Sequence, residues 1–157
     1  MNTIPKCDHT SVGVLIWKAR KLLLIERKRP PYGLAPPAGH VDDHGSFENA
    51  AKIEAFEEVG LRVENLTLLG EGKKSNPCRR PNGDWHYWKI YEGEAHGEVS
   101  PSEDETKGFI WADARKLEEL MGRTKMYRSQ KIDEAEWINN PGIEPVWFEW
   151  LSELLNL

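Results

Sequence analysis

Gly39-His40-Val41-Asp42-Asp43-His44-Gly45-Ser46-Phe47-Glu48-Asn49-Ala50-Ala51-Lys52-Ile53-Glu54-Ala55-Phe56-Glu57-Glu58-Val59-Gly60-Leu61 reads as a loop, a helix and a stop. Gly39 and Gly45 punctuate a polar loop. Ser46 stands as an N-cap, because its hydroxyl can accept one of the first unpaired helix N–H groups. Phe47–Val59 is helical in composition, and Gly60 sits where a left-handed residue ends a helix. Phe47, Ala50 or Ala51, Ala55 and Val59 form the expected buried stripe, its small alanines allowing close packing on a sheet.

Glu54, Glu57 and Glu58 are spaced i, i+3 and i+4, so a helix puts them on one face. Like charges at this spacing cost a helix roughly 0.2–0.5 kcal/mol per pair. A divalent ion would turn that repulsion into coordination. Mg²⁺ takes carboxylates, waters and phosphate oxygens together, whereas zinc prefers the His and Cys that this face lacks. Taken alone, three glutamates also fit a solvated acidic face.

The neighbourhood favours the metal reading. The segment from Gly39 to Leu61 resembles the Nudix box, a loop–helix–loop of 23 residues. Gly39, Glu54, Ala55, Glu57, Glu58, Gly60 and Leu61 fill the family's positions without a gap. The approach Tyr32-Gly33-Leu34-Ala35-Pro36-Pro37-Ala38 and the strand pair ending in Glu26-Arg27 are also similar. Two positions depart: Gly45 replaces the family's first Glu, and Ile53 replaces its Arg. In the family these two brace the loop against the helix. Losing both is more coherent than leaving one buried charge alone, so another packing solution is expected, with Asp42, Asp43 or Glu48 as substitutes.

The resemblance implies hydrolysis of a nucleoside diphosphate linked to a further group, by water activated near a divalent metal, Mg²⁺ with Mn²⁺ as an alternative. It implies Glu54, Glu57 and Glu58 as catalytic and metal-binding residues, with the Gly39 carbonyl as a further ligand. Arg27 is a phosphate contact by its bidentate guanidinium, or an exposed strand-end arginine. Glu105 and Glu144 are candidates for an additional carboxylate, each also readable as an ordinary loop or helix-start acid. Tyr32, Trp85 and Tyr87 are candidate stacking surfaces for the base or the linked group. Trp85 and Tyr87 fall on one face of an alternating strand, His86 and Trp88 on the other. The other class of reading is a catalytically impaired Nudix domain that binds a nucleotide or a protein without turnover. Gly45 and Ile53 support that reading; the intact glutamates oppose it.

Outward from this segment, Ser11–Trp17 and Leu22–Arg27 read as a hairpin about the polar turn Lys18–Lys21. Residues 28–45 read as a long functional loop. Strands are expected at Arg62–Leu69, Trp85–Tyr91 and Gly108–Trp111, with a basic loop at Lys73–Gly83. A helix at Asp113–Leu120 is extended by Lys125–Ile138, and a last helix covers Glu144–Leu155. This pattern predicts an α/β (α+β) fold, a Nudix-type mixed β-sheet sandwiched between helices. The aromatic C-terminal helix reads as intramolecular core or as a homodimer face.

The chain has 157 residues, 39% hydrophobic and 30% charged, so one domain, 1–157, is expected. A net charge of −5 argues against long nucleic acid and leaves a small nucleotide-like substrate. Apolar runs such as Val12–Trp17 are too short to span a membrane. Without a signal-peptide pattern, a cytoplasmic setting is expected. Triphosphates are weakly favoured over ADP-ribose-like sugars, because the chain is short. Cys7 and Cys78 stand far apart and predict neither a disulfide framework nor a zinc site; Cys7-x-His9 reads as incidental. His40, His44, His86 and His96 show no spacing that argues for a metal or a triad. There is no P-loop, G-x-G-x-x-G or G-x-S-x-G element.

Overall fold

A computed structural model describes residues 4–157. In chain order the elements are β1 (Thr10–Leu15), β2 (Trp17–Lys18), β3 (Lys21–Arg27), β4 (Leu34–Ala35), β5 (Ala38–Gly39), α1 (Phe47–Val59), β6 (Arg62–Lys74) and β7 (His86–His96). They are followed by β8 (Thr106–Ala112), α2 (Ala114–Arg128), α3 (Glu134–Asn139) and α4 (Pro145–Leu155). The chain forms two compact units interleaved in sequence.

The first unit runs to Leu15 and resumes over Pro37–Ser100. Its sheet has the order β5-β1-β7-β6, with β1 and β7 parallel and the other pairs antiparallel. Helix α1 packs against β1, β5 and β6. Ala50, Ala51, Ala55 and Val59 are fully buried there. The Ser46 hydroxyl accepts the Asn49 N–H at 3.0 Å, and Gly60, at φ 72°, closes the helix by donating to the Phe56 carbonyl. The expected helix boundaries are those observed.

The second unit comprises Ile16–Pro36 and Pro101–Leu157. Here β3 pairs antiparallel with β2, β4 and β8. Leu22, Leu23, Leu24 and Ile25 are buried in succession, as in a strand covered on both faces. Helices α2 and α3 start on the caps Asp113 and Asp133. In α4, Val146, Trp147, Trp150 and Leu151 are buried within the chain, so this aromatic stripe is intramolecular core.

Several sequence expectations need correction. The hairpin is confined to its tip: Trp17 faces Leu22 across Ala19 and Arg20, both with positive φ, a tight two-residue turn. Thr10–Leu15 belongs instead to the other sheet, beside β7. Pairing to a strand some 75 residues downstream leaves no local signature. The expected strand at Arg62–Leu69 continues to Lys74, taking Lys73 and Lys74 out of the basic loop. The long helical stretch after Asp113 breaks at Ser129, and the chain resumes as α3.

Candidate active site

The carboxylate of Glu54 lies directly over Gly39. A Cβ built on Gly39 would meet Glu54 Cδ at 2.2 Å and both carboxylate oxygens at 2.5 Å. Glycine at 39 is therefore required by close approach. His44 closes the other side, its Nε2 3.7 Å from Glu54 Oε1. Glu57 is exposed and Glu58 half-buried, one turn further along α1. Glu54 thus brings a hard oxygen donor to the loop that carries Gly39, with Glu57 and Glu58 further along the same helix.

That loop is held by polar contacts. Arg80 donates two bonds to the Asp42 carboxylate, at 2.7 and 2.8 Å. The Asp42 N–H donates to Asp8 Oδ2 at 2.8 Å, and the Val41 N–H to the Thr10 hydroxyl at 2.9 Å. Hydrogen bonding from Arg80 holds the Asp42 carboxyl below its usual range, although burial opposes it. Asp42, one of the three expected substitutes, thus braces the loop against Arg80 in the β6–β7 connection. Gly45 sits at φ 91°, where an added Cβ would meet only Asn49 Nδ2, at an ordinary 3.7 Å.

The strand alternation expected near Trp85 holds from His86 to Ile90. His86 and Trp88 are buried, and Tyr87 is exposed with its hydroxyl donating to Glu71 at 2.6 Å. Trp85 precedes the strand; its ring stacks on His9 at 4.0 Å and carries Lys73 Nζ 4.5 Å from its centroid. Of the two, Tyr87 presents the freer ring edge, with Phe47 at 6.5 Å.

A family model for the NUDIX domain matches residues 8–139. The chain belongs to the Nudix family. The NAD-capped RNA hydrolase NudC of Mannheimia succiniciproducens is 32% identical over 108 residues, covering 64% of this chain and 38% of that protein. An RNA pyrophosphohydrolase of Shewanella sp. strain ANA-3 is 36% identical over 61 residues, covering 39% of this chain and 35% of that protein. The chain thus spans little more than a third of the curated relatives it matches. A NUDIX hydrolase from Nitrosomonas europaea superposes with a TM-score of 0.61 at 21% identity, over 75% of this chain and 78% of that one. A MutT NUDIX hydrolase from Burkholderia pseudomallei gives 0.57 at 28%, over 70% and 84%. These likenesses agree with the mixed α/β architecture.

The remaining candidate residues lie outside the Nudix box, in the second unit. Arg27 ends β3; its N–H donates to the Gly33 carbonyl at 3.0 Å, and its Nε is buried without a partner. Glu144 is buried, and burial pushes its carboxyl up while the Arg27 charge draws it down. Its backbone pairs with Leu34 and packs on Gly33. Glu105 is exposed, its carbonyl accepting the Lys28 N–H at 3.0 Å. Tyr32 is half-buried, with Lys107 Nζ 5.9 Å from its ring and its carbonyl accepting from Trp137.

The histidines and cysteines depart most from expectation. Cys7, Cys78, His40 and His86, scattered in sequence, bring one ligand atom each within 4.8 Å of one another. Among the described residues this is the one such group of three or more; Glu54, Glu57 and Glu58 do not gather their oxygens to that distance. His9 is not part of the cluster. No sequence spacing could have found it, because each member comes from a different segment.

Proposed function

We propose that this protein is a divalent-metal-dependent Nudix hydrolase that cleaves a pyrophosphate bond in a nucleoside diphosphate linked to another group. The observation that carries this reading is the seating of the Glu54 carboxylate on Gly39, on the helix that also carries Glu57 and Glu58. The donor set is all oxygen and suits Mg²⁺, with Mn²⁺ as an alternative. Glu57, Glu58 and Glu54, together with the Gly39 carbonyl, would hold the ion, which would neutralise phosphate oxygens when bound. Glu54, partly shielded beside His44, is the best-positioned carboxylate to take a proton from the attacking water. Water oxygen bonds to one phosphorus, the bridging P–O bond breaks, and the displaced phosphate leaves with its oxygen.

Tyr87 is the preferred stacking surface of the first unit. Arg27, Tyr32, Glu105 and Glu144 stay candidates for substrate contact or an additional carboxylate. We read residues 1–157 as one functional domain, because the family model runs through segments of both units. Among the described residues no helix is long and apolar enough to cross a membrane. The free thiols Cys7 and Cys78 suit a reducing, cytoplasmic setting.

Two curated relatives are named for RNA substrates. The acidic balance disfavours extended RNA contact, so a capped or triphosphorylated 5′ end is the part of such a substrate that suits this chain. The test is product analysis on nucleoside triphosphates, oxidised deoxynucleotides, ADP-ribose, NADH, dinucleoside polyphosphates and short 5′-triphosphate and NAD-capped RNAs. Metal-dependent cleavage of one class, abolished by chelator and by Glu57→Gln, is expected. Tight binding without turnover of any member would instead favour a catalytically impaired binding module, the reading that Gly45 and Ile53 support.

A further inference from the structure

We propose that Cys7, His40, Cys78 and His86 form a tetrahedral Cys₂His₂ site for one Zn²⁺, separate from the glutamates of the Nudix box, that pins the box loop in place. The distances suit this ion. Cys7 Sγ lies 3.4 Å from His86 Nε2 and 3.6 Å from His40 Nε2. With Zn–S near 2.3 Å and Zn–N near 2.0–2.1 Å, the S···N edge of a tetrahedron is about 3.6 Å. All four ligand atoms lie within 4.8 Å of one another.

The local backbone is arranged for thiolates. The His9 N–H donates to Cys7 Sγ at 3.3 Å, and the Arg80 N–H donates to Cys78 Sγ at 3.4 Å. Each sulfur thus receives an amide from two residues downstream, a contact that strengthens when sulfur carries charge. The turn carrying Cys78 is closed by its N–H to the Gly83 carbonyl at 2.7 Å and by Gly83 back to Arg80 at 3.1 Å. Cys7 is tied to the same turn through the Pro81 carbonyl at 3.2 Å. A Cβ on Gly83 would meet Cys78 Sγ at 2.0 Å, so the buried glycine makes room for the sulfur.

The chemistry of the donors agrees. His86 is buried and His40 half-buried, surroundings that suit neutral imidazole donors. Cys7 is buried close to Cys78, so two thiolates there call for a compensating cation. One dication with two thiolates and two neutral imidazoles sums to zero, the cheapest charge state for a partly buried centre. A Cys7–Cys78 disulfide would use only the sulfurs and leave two imidazoles pointed at them. Soft S₂N₂ ligation selects zinc over magnesium.

The site joins the entry to β1, the residue after Gly39, the turn at residues 78–83 and the start of β7. The metal would therefore tie the Gly39 loop to β1, to that turn and to β7.

The test is metal analysis of the full chain, expressed without a histidine tag in zinc-supplemented medium and gel-filtered with chelator. About one zinc per chain is expected in the wild type, and under about a tenth of that in Cys78→Ser and His86→Gln. Cobalt exchanged into the wild type should give thiolate charge-transfer absorption and the visible bands of tetrahedral Co²⁺, a readout that does not depend on the variants folding. A folded wild type that holds neither zinc nor cobalt overturns the proposal. So does stoichiometric iron, or a non-reduced mass two hydrogens lighter, which marks a disulfide. Hydrolase activity enters none of these readouts, so they stand apart from the proposed reaction.

Discussion

The Glu54 carboxylate occupies the space where a side chain on Gly39 would be, with Glu54 Cδ 2.2 Å from the Cβ position. One residue ends a two-residue strand and the other lies midway along α1, so their contact locks loop to helix at the point where the reaction is proposed to occur.

Gly39→Ala should therefore separate activity from stability. The added methyl meets the far end of a flexible side chain that can move aside, so the fold loses about 1 kcal/mol, the low end of the range for overpacking. Glu54 must swing away, and misplacement of about 1 Å at a reacting group can cost 10²-fold. The expected result is kcat/KM lower by about two orders of magnitude, with Tm lower by only about 2–4 °C. Equal activity in the variant would remove Glu54 from the chemistry.

Restoring the family's glutamate should not help the fold. Gly45 has φ 91°, and an L-residue there pays roughly 1–2 kcal/mol whatever its side chain. Gly45→Glu and Gly45→Ala should both lower Tm, by about 2–8 °C for a chain of this size. A Gly45→Glu variant at least as stable as the wild type would show that a side-chain partner outweighs the backbone strain.

Glu144 gives a pH signature. Burial raises its folded-state carboxyl above the ordinary glutamate range. Folding then binds the proton more tightly than the unfolded chain does, so this contribution is full at acid pH and lost as pH rises through the folded value. Glu144→Gln cannot ionise. Its stability relative to wild type should rise between about pH 4 and neutrality. Denaturant unfolding at several pH values reads the difference, and a gap that shrinks with pH would mean that Arg27 outweighs burial.

Tyr127 acts at the alkaline end. Burial and its hydrogen bond to Glu134 push its hydroxyl up to about 12, and its ring stacks on Trp137 at 4.1 Å. The raised value means stability that is full below about pH 10 and lost as pH rises toward 12. Tyr127→Phe should flatten that part of the Tm-against-pH curve. A tyrosinate titration with every tyrosine ionising near the free value would contradict it.

Features that depend on near neighbours are legible in the amino-acid order alone. Ser46 reaches the N–H three residues on, Gly60 takes up a left-handed turn, and the alanine stripe and the three glutamates follow from 3.6 residues per turn. These interactions are satisfied within one or two turns of chain, so α1 and the box are legible without a fold. The alternation that exposes Tyr87 and buries Trp88 is local in the same sense.

Tertiary structure alone decided the rest. Whether β1 turned back onto β3 or joined β7 depended on which distant edge offered a matching ladder, and nothing in Ser11–Trp17 encodes that choice. Asp42 could be named as a substitute brace, but its partner Arg80 lies 38 residues away and was chosen by the β6–β7 connection. Cys7 looked isolated because His40 and His86 stand 33 and 79 residues from it. Their meeting rests on how strands from opposite ends of the segment are placed side by side. Spacing along a chain records contacts made within a helix or a turn, whereas contacts made across a sheet are set by packing.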